Sequence, residues 1–275
     1  SELISYLAPA WFLGKFPHKK VIMASHTADL AVNFGRRVRN LVSSDAYKDI
    51  FPNTELQADS KSASRWGTNK NGEYFAIGVG GALAGRGADL FIIDDPHSEQ
   101  EAKTGRPDVF LPAWEWFQSG PLQRLMPGGA IIIVMTRWSK LDLTGQLIRQ
   151  MEQEEDVEPW EVVEFPAILN DKPLWGEFWS IDELLAKKAG MDVRYWEAQY
   201  MQNPVSEEAF TQDRVRMFNG FVSATTFSIV APSNGQTHPS GGAYVRVNGD
   251  FDAIAIVTTE EWHALEDLLR SFDAR

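Results

Sequence analysis

Apolar residues recur along this chain with two periods, one of a helix face and one of a buried strand. Near the start, Leu3, Ile4, Leu7, Ala8, Trp11 and Phe12 fall at helical spacing, with Pro9 as a kink and Gly14 as a stop. After Lys19 and Lys20, the run Val21-Ile22-Met23-Ala24-Ser25 has the length of a buried strand. Thr27 or Asp29 then caps a helix carried by Leu30, Phe34, Val38 and Leu41, whose outer face bears Arg36, Arg37 and Arg39. Further strands are predicted at 74–79, 90–93 and 130–135, the last after a Pro127-Gly128-Gly129 connection, and by alternation at 160–165, closed by Pro166. Helices are predicted around Trp114, Trp116 and Phe117, over 142–151, over 181–189 and over 193–201.

Continuous apolar strands separated by helices predict an α/β fold, a mostly parallel sheet covered by helices on both faces. After Pro204 the texture changes, as Ser, Thr, Gly and Asn rise and the strands shorten to 227–231, 243–247 and 253–257 before a helix over 260–269. A boundary near 205 follows, with a small α+β segment over 206–275. No internal repeat is visible.

Composition narrows the function classes. Of 275 residues 44% are hydrophobic and 23% charged, which excludes wholesale disorder. A net charge of −12 argues against coating nucleic acid by bulk charge, while leaving room for a local basic groove. With no cysteine there is no disulfide, thiol nucleophile or Cys-ligated zinc, and the five histidines show no metal-ligand spacing. No apolar run approaches the roughly 18 residues that span a bilayer. The first residues, Ser1 to Tyr6, lack the basic region and cleavage site of a signal peptide and read as the inside of a helix.

Candidate chemistry concentrates at strand ends. Leu90-Phe91-Ile92-Ile93-Asp94-Asp95 places two acids after four apolar residues. This is the Walker B pattern, in which the first acid orients a Mg²⁺-bound water and the second polarises the attacking water. An Asp-Pro turn closing a strand produces the same string. Thr136-Arg137 after the 130–135 strand fits a sensor of the γ-phosphate, or an ordinary strand end at the surface. The turn Gly80 to Gly87 is either a close approach to a ligand or DNA, or a flexible connection. Arg36, Arg37 and Arg39 fit phosphate contacts or a trans-acting finger, and equally a solvated helix face. No GxxxxGK[ST] phosphate loop occurs in the sequence.

The order of these blocks resembles the ATPase domain of the large terminase subunit, the genome-packaging motor of tailed bacteriophages, over about residues 1–205. The resemblance is carried by Pro9-Ala10-Trp11-Phe12-Leu13-Gly14, by Ala24-Ser25-His26-Thr27-Ala28-Asp29-Leu30-Ala31 with Phe34-Gly35-Arg36 and Val38-Arg39, and by Gly78-Val79-Gly80-Gly81. It continues through Gly85-Arg86-Gly87-Ala88-Asp89-Leu90, Asp94-Asp95-Pro96, Thr136-Arg137-Trp138 before Asp142-Leu143, Phe165-Pro166-Ala167 and Tyr200-Met201-Gln202-Asn203-Pro204.

The resemblance implies a P-loop NTPase-like fold of the additional-strand, RecA-like kind, using ATP and Mg²⁺. It implies that Asp94 is the magnesium carboxylate and that Asp95 stands where the family places a catalytic Glu, one methylene shorter here. It further implies that Thr136 couples hydrolysis to DNA movement and that Arg86 faces phosphate or a neighbouring subunit. Ser1 matches the last Walker A hydroxyl, a magnesium ligand, so the resemblance implies a fragment without the Walker A strand and with weak or absent ATPase activity alone. Implied partners are double-stranded DNA, a portal protein, a small terminase subunit and copies of the chain in a ring on the prohead, in the host bacterial cytoplasm and with no membrane. Segment 206–275 stands where the family continues into a nuclease. Asp250, Asp252, Glu260 and Glu261 there fit a solvated turn and helix start better than a metal cluster. Two other readings share these features: a helicase-like DNA translocase, and a non-hydrolysing docking module.

Overall fold

The computed structural model describes residues 1–205 apart from 60, 61, 105, 155 and 158, together with strands 227–229, 243–247 and 254–257. The chain divides into two units, Ser1–Ser206 and Glu207–Arg275.

The first unit is built on five strands, β1 (Lys20–Ser25), β2 (Arg65–Gly67), β3 (Glu73–Gly78), β4 (Ala88–Asp94) and β5 (Leu125–Val134). Their order is β2-β3-β1-β4-β5, with β3, β1, β4 and β5 parallel and β2 antiparallel to β3. A parallel sheet has to be covered on both faces, and side-chain alternation divides the labour. Val21, Met23, Tyr74, Ala76, Leu90 and Ile92 meet Leu13 of α1 (Ala8–Lys15) and Ala31, Phe34, Val38 and Val42 of α2 (Ala28–Val42). Ile22, Ala24, Phe91 and Ile93 meet Trp116 and Phe117 of α5 (Leu111–Ser119) and Leu143 and Leu147 of α7 (Leu143–Gln153). Phe91, Ile92 and Ile93 are wholly buried, so burial of each contributes about 2 kcal/mol to holding β4 in place. Mixed α/β architecture with a mostly parallel sheet flanked by helices is therefore observed.

Local signals explain the ends of elements. The Thr27 hydroxyl accepts the Leu30 N–H and starts α2, and Asp142 accepts the Gly145 N–H to start α7. Before α1 the chain is wound wider, as a π-helical turn Glu2–Leu7, and Pro9 sits just after the hand-over to α-helix, where its missing N–H costs little.

Several elements differ from expectation. Residues 160–165 form no strand. Trp160 packs 6.0 Å from the Phe117 ring, but Val163 and Phe165 are 63% and 71% exposed, so the alternating segment lies outside the sheet and only its first residue is partly buried. Pro127-Gly128-Gly129 lies inside β5 rather than before it. Between the pairs Ala88↔Leu125 and Leu90↔Ala130, β5 has four residues against one on β4, a bulge for which Gly128 supplies a φ of 75°. Strand β2 and helix α3 (Asp45–Ile50) were not predicted, nor the short helical turns α4 (Glu99–Ala102) and α6 (Pro121–Arg124) and the hairpin β6 (Ile168–Leu169) with β7 (Lys172–Pro173). Helix α8 (Ile181–Ala189) is as expected, while the last predicted helix splits into α9 (Val193–Tyr195) and a π-helical turn Trp196–Tyr200.

In the second unit β8 (Phe227–Ile229), β9 (Ala243–Val247) and β10 (Ile254–Val257) form an antiparallel sheet of order β10-β9-β8. The helix expected over 260–269, and Asp250, Asp252, Glu260 and Glu261, lie outside the described residues. Among the described residues, no helix is long and apolar enough to cross a membrane.

Candidate functional site

Parallel strands deliver their carboxyl ends to one edge of the sheet, where ligands of open α/β folds collect. In register, Ser25 of β1 lies opposite Asp94 of β4, and Asp94 lies opposite Val134 of β5. Alternation turns Asp94 to the same face as Leu90 and Ile92, the face covered by the N-terminal helix. That helix answers with two hydroxyls. Ser1 Oγ donates to Asp94 Oδ1 at 2.9 Å, and Ser5 Oγ donates to Asp94 Oδ2. Asp94 is 1% exposed and Ser5 wholly buried, and among the described residues no Lys, Arg or His forms an ion pair with Asp94.

Asp95 departs from the strand. Its φ of 45° puts a non-glycine residue in the left-handed region, a local cost that surrounding contacts have to hold. Three do so: its N–H donates to Val134 O at 2.8 Å, its carbonyl accepts the His26 N–H at 3.1 Å, and Oδ1 accepts the Thr136 N–H at 3.2 Å. Burial raises the Asp95 pKa above the usual carboxylate value; the Asp94 charge adds to the rise and the Thr136 N–H opposes it. Ser25 Oγ and His26 Nδ1 are buried here without a hydrogen-bond partner in the protein.

The loop after β5 is braced from below. Arg137 Nε donates to Asp142 at 3.1 Å, both side chains being nearly or wholly buried. Asp142 also accepts the N–H groups of Trp138, Ser139 and Gly145, so its charge is fully hydrogen-bonded. His97 Nε2 accepts the Leu143 N–H at 2.8 Å, which ties the loop after β4 to the start of α7. Burial pushes the His97 pKa down to about 4, so the ring stays neutral at physiological pH and its Nδ1 carries the proton.

Of the residues singled out from sequence, Ser1, Asp94, Asp95 and Thr136 are brought together, and Arg86 is not. Arg86 pairs with Glu73 at the amino end of β3 at 2.9 Å and lies 3.7 Å over the Phe75 ring. From there to Asp94 is the length of β4, about 20 Å at the usual rise per residue. Of the two expected placements, facing phosphate or a neighbouring subunit, the first is not met beside the two acids: the glycine turn runs back along the sheet, strapped down by Gly81 O accepting the Trp116 Nε1–H at 3.0 Å, and carries Arg86 to the opposite end. Arg37 binds Glu2 and lies 4.3 Å over the Tyr6 ring, pinning the π-helical turn to α2; Arg36 is exposed. Sequence reasoning missed Ser5, His26 and His97. A signal existed for Ser5, since Ser1 and Ser5 are polar positions four apart on an otherwise apolar helix face.

No family model and no curated protein matches this chain. Among solved structures, a crystal structure of the HK97 bacteriophage large terminase is similar over 87% of this chain and 51% of its own, at 13% identity and a TM-score of 0.34. The chain thus spans about half the length of that terminase.

The donor set itself defines what the site can hold. Carboxylates and hydroxyls are hard oxygen ligands, suited to Mg²⁺ rather than to a soft metal. Among the described residues no group of three His, Cys, Asp or Glu gathers as a cage. A cation held by Asp94 would complete its shell with water and the oxygens of a phosphate-bearing substrate, as Mg²⁺ commonly does.

Proposed function

We propose that this chain is the ATP-hydrolysing part of a large terminase subunit, a P-loop NTPase-type motor that drives phage DNA into the prohead. The single observation that carries it is the pair Asp94 and Asp95 at the carboxyl end of a buried strand, the first held by hydroxyls of the N-terminal helix and the second by the backbone of the neighbouring strand end. The ordered sequence blocks from Pro9 to Pro204 support the terminase over a helicase-like translocase.

Mg²⁺, when bound, would supply neutralisation of the negative charge that ATP develops as it is hydrolysed. Asp94 and the Ser1 hydroxyl are the residues to hold it. Asp95, with its raised proton affinity, orients the attacking water and accepts its proton. Its carboxylate is aimed by the Thr136 N–H, so a change at Asp95 is felt directly by the loop that leads through Arg137 into α7. Double-stranded DNA, a portal protein, a small terminase subunit and further copies in a ring are the partners this reading requires, in a host bacterial cytoplasm.

The test supplies a phosphate loop. A GxxxxGK segment placed directly before Ser1 is expected to give Mg²⁺-dependent ATP turnover, and Asp94→Asn in that protein to reduce it at least about 100-fold. Turnover in neither protein would favour the docking-module reading.

A further inference from the structure

We infer that Ser5 is a positioning residue that fixes the Asp94 carboxylate for its cation, a role that rests on the reading of Asp94 as a metal ligand. Ser5 is wholly buried, a place where packing alone would favour Ala. What occupies its hydroxyl is one oxygen of Asp94, 89 residues away in sequence. A buried carboxylate has two oxygens to satisfy, and here they are treated differently. Oδ2 is held by the buried hydroxyl of Ser5, inside the helix, whereas Oδ1 is held by the hydroxyl of Ser1 at the helix N-cap.

The inner bond fixes the rotation of the carboxylate, and the outer oxygen with the Ser1 hydroxyl forms the pair that can turn to a cation. The backbone is shaped for this. Ser1 is the N-cap of the widened helix Glu2–Leu7 and Ser5 lies within it; the Ser5 N–H donates to Ser1 O at 2.7 Å, and the widening shows where the Ala8 N–H reaches back five residues to Leu3 O. Such π-helical turns concentrate at functional sites. Arg37, bound to Glu2 and stacked on Tyr6, holds that turn against α2. Hydrogen bonds that orient a metal's ligand typically change its affinity 10–100-fold.

The experiment titrates Mn²⁺ alone into the 275-residue chain by electron paramagnetic resonance, with the melting temperature of each variant recorded alongside. Wild type should bind one ion that Asp94→Asn abolishes. Ser5→Ala should weaken it about tenfold, and Ser5→Thr, which keeps the hydroxyl, should stay within about twofold. Should Ser5→Ala fail to fold, Ser5→Cys, of similar size with a weak donor, should show the same loss. Unchanged affinity in a folded Ser5→Ala or Ser5→Cys protein, with only the melting temperature lowered, overturns the role of Ser5 and leaves Asp94 as a ligand. No Mn²⁺ binding by wild type, or binding that survives Asp94→Asn, overturns both.

Discussion

The two ends of the central sheet are made from the same strands and handle charge in opposite ways. At the amino end every acid has a cation: Lys19 meets Asp89 at 2.6 Å, and Arg65 and Arg86 share Glu73 at 3.0 and 2.9 Å. At the carboxyl end Asp94 and Asp95 stand side by side with hydroxyls and backbone N–H groups as partners and, among the described residues, no ion pair. One end is neutralised by its own residues; the other is left with two acids that a bound cation would balance. A local rule broken in one place and obeyed at its counterpart is what the proposed function requires, stability given up at the end that would do the chemistry.

Three substitutions probe that contrast. The largest effect is expected from Asp142→Ala, beneath the acidic end. Removing one partner of the buried Arg137–Asp142 pair strands the guanidinium and three N–H groups, at about 3–5 kcal/mol of unfolding free energy, read from urea titration. A loss below about 1 kcal/mol would mean that the acidic end lacks this rigid support.

Asp95→Asn should act with the opposite sign. Because the folded-state pKa of Asp95 is raised, the unfolded chain binds fewer protons than the folded one between the usual carboxylate pKa and the raised value. Wild-type stability therefore falls as pH rises through that window, by at most about 1.4 kcal/mol per pH unit for one proton. Asparagine removes this slope and tolerates the left-handed backbone, so the variant should be more stable than wild type at pH 7. A wild-type stability that rises with pH across that window, and an Asn variant less stable at pH 7, would contradict an uncompensated acid.

The smallest effect is expected at the amino end. Arg86→Ala loses a partly exposed ion pair and a ring contact, about 1 kcal/mol together, and should leave Mn²⁺ affinity unchanged. A change in that affinity would place Arg86 back among the functional residues.

Much of this organisation was legible from residue pattern. The runs 21–25, 74–79 and 90–93 are apolar on both faces, so parallel strands and their helical cover followed from periodicity, and Asp94 and Asp95 then had to lie at a strand end. What pattern could not reach was pairing between distant segments. Residues 160–165 alternate like a strand, yet alternation alone does not make one: the segment stays out of the sheet although β5 leaves a side open among the described residues. Arg86 sits two residues before β4 begins at Ala88, and the resemblance turned it toward phosphate or a neighbouring subunit, whereas the path of the glycine turn puts it beside Glu73 at the amino end. Ser5, four residues from Ser1, looked like a routine polar position because its partner lies on another element altogether.

Strand β5 closes one side of the sheet with its outer backbone groups unpaired among the described residues. Its first half is blunted by Pro127 and the glycine bulge, but Ala130-Ile131-Ile132-Ile133-Val134 carries neither proline nor charge. Such an edge is a template for like edges, the kind on which aggregation begins. Loss of protein from solution should therefore track concentration more closely than heating, making colloidal behaviour a property of this one margin rather than of the molecule's overall charge.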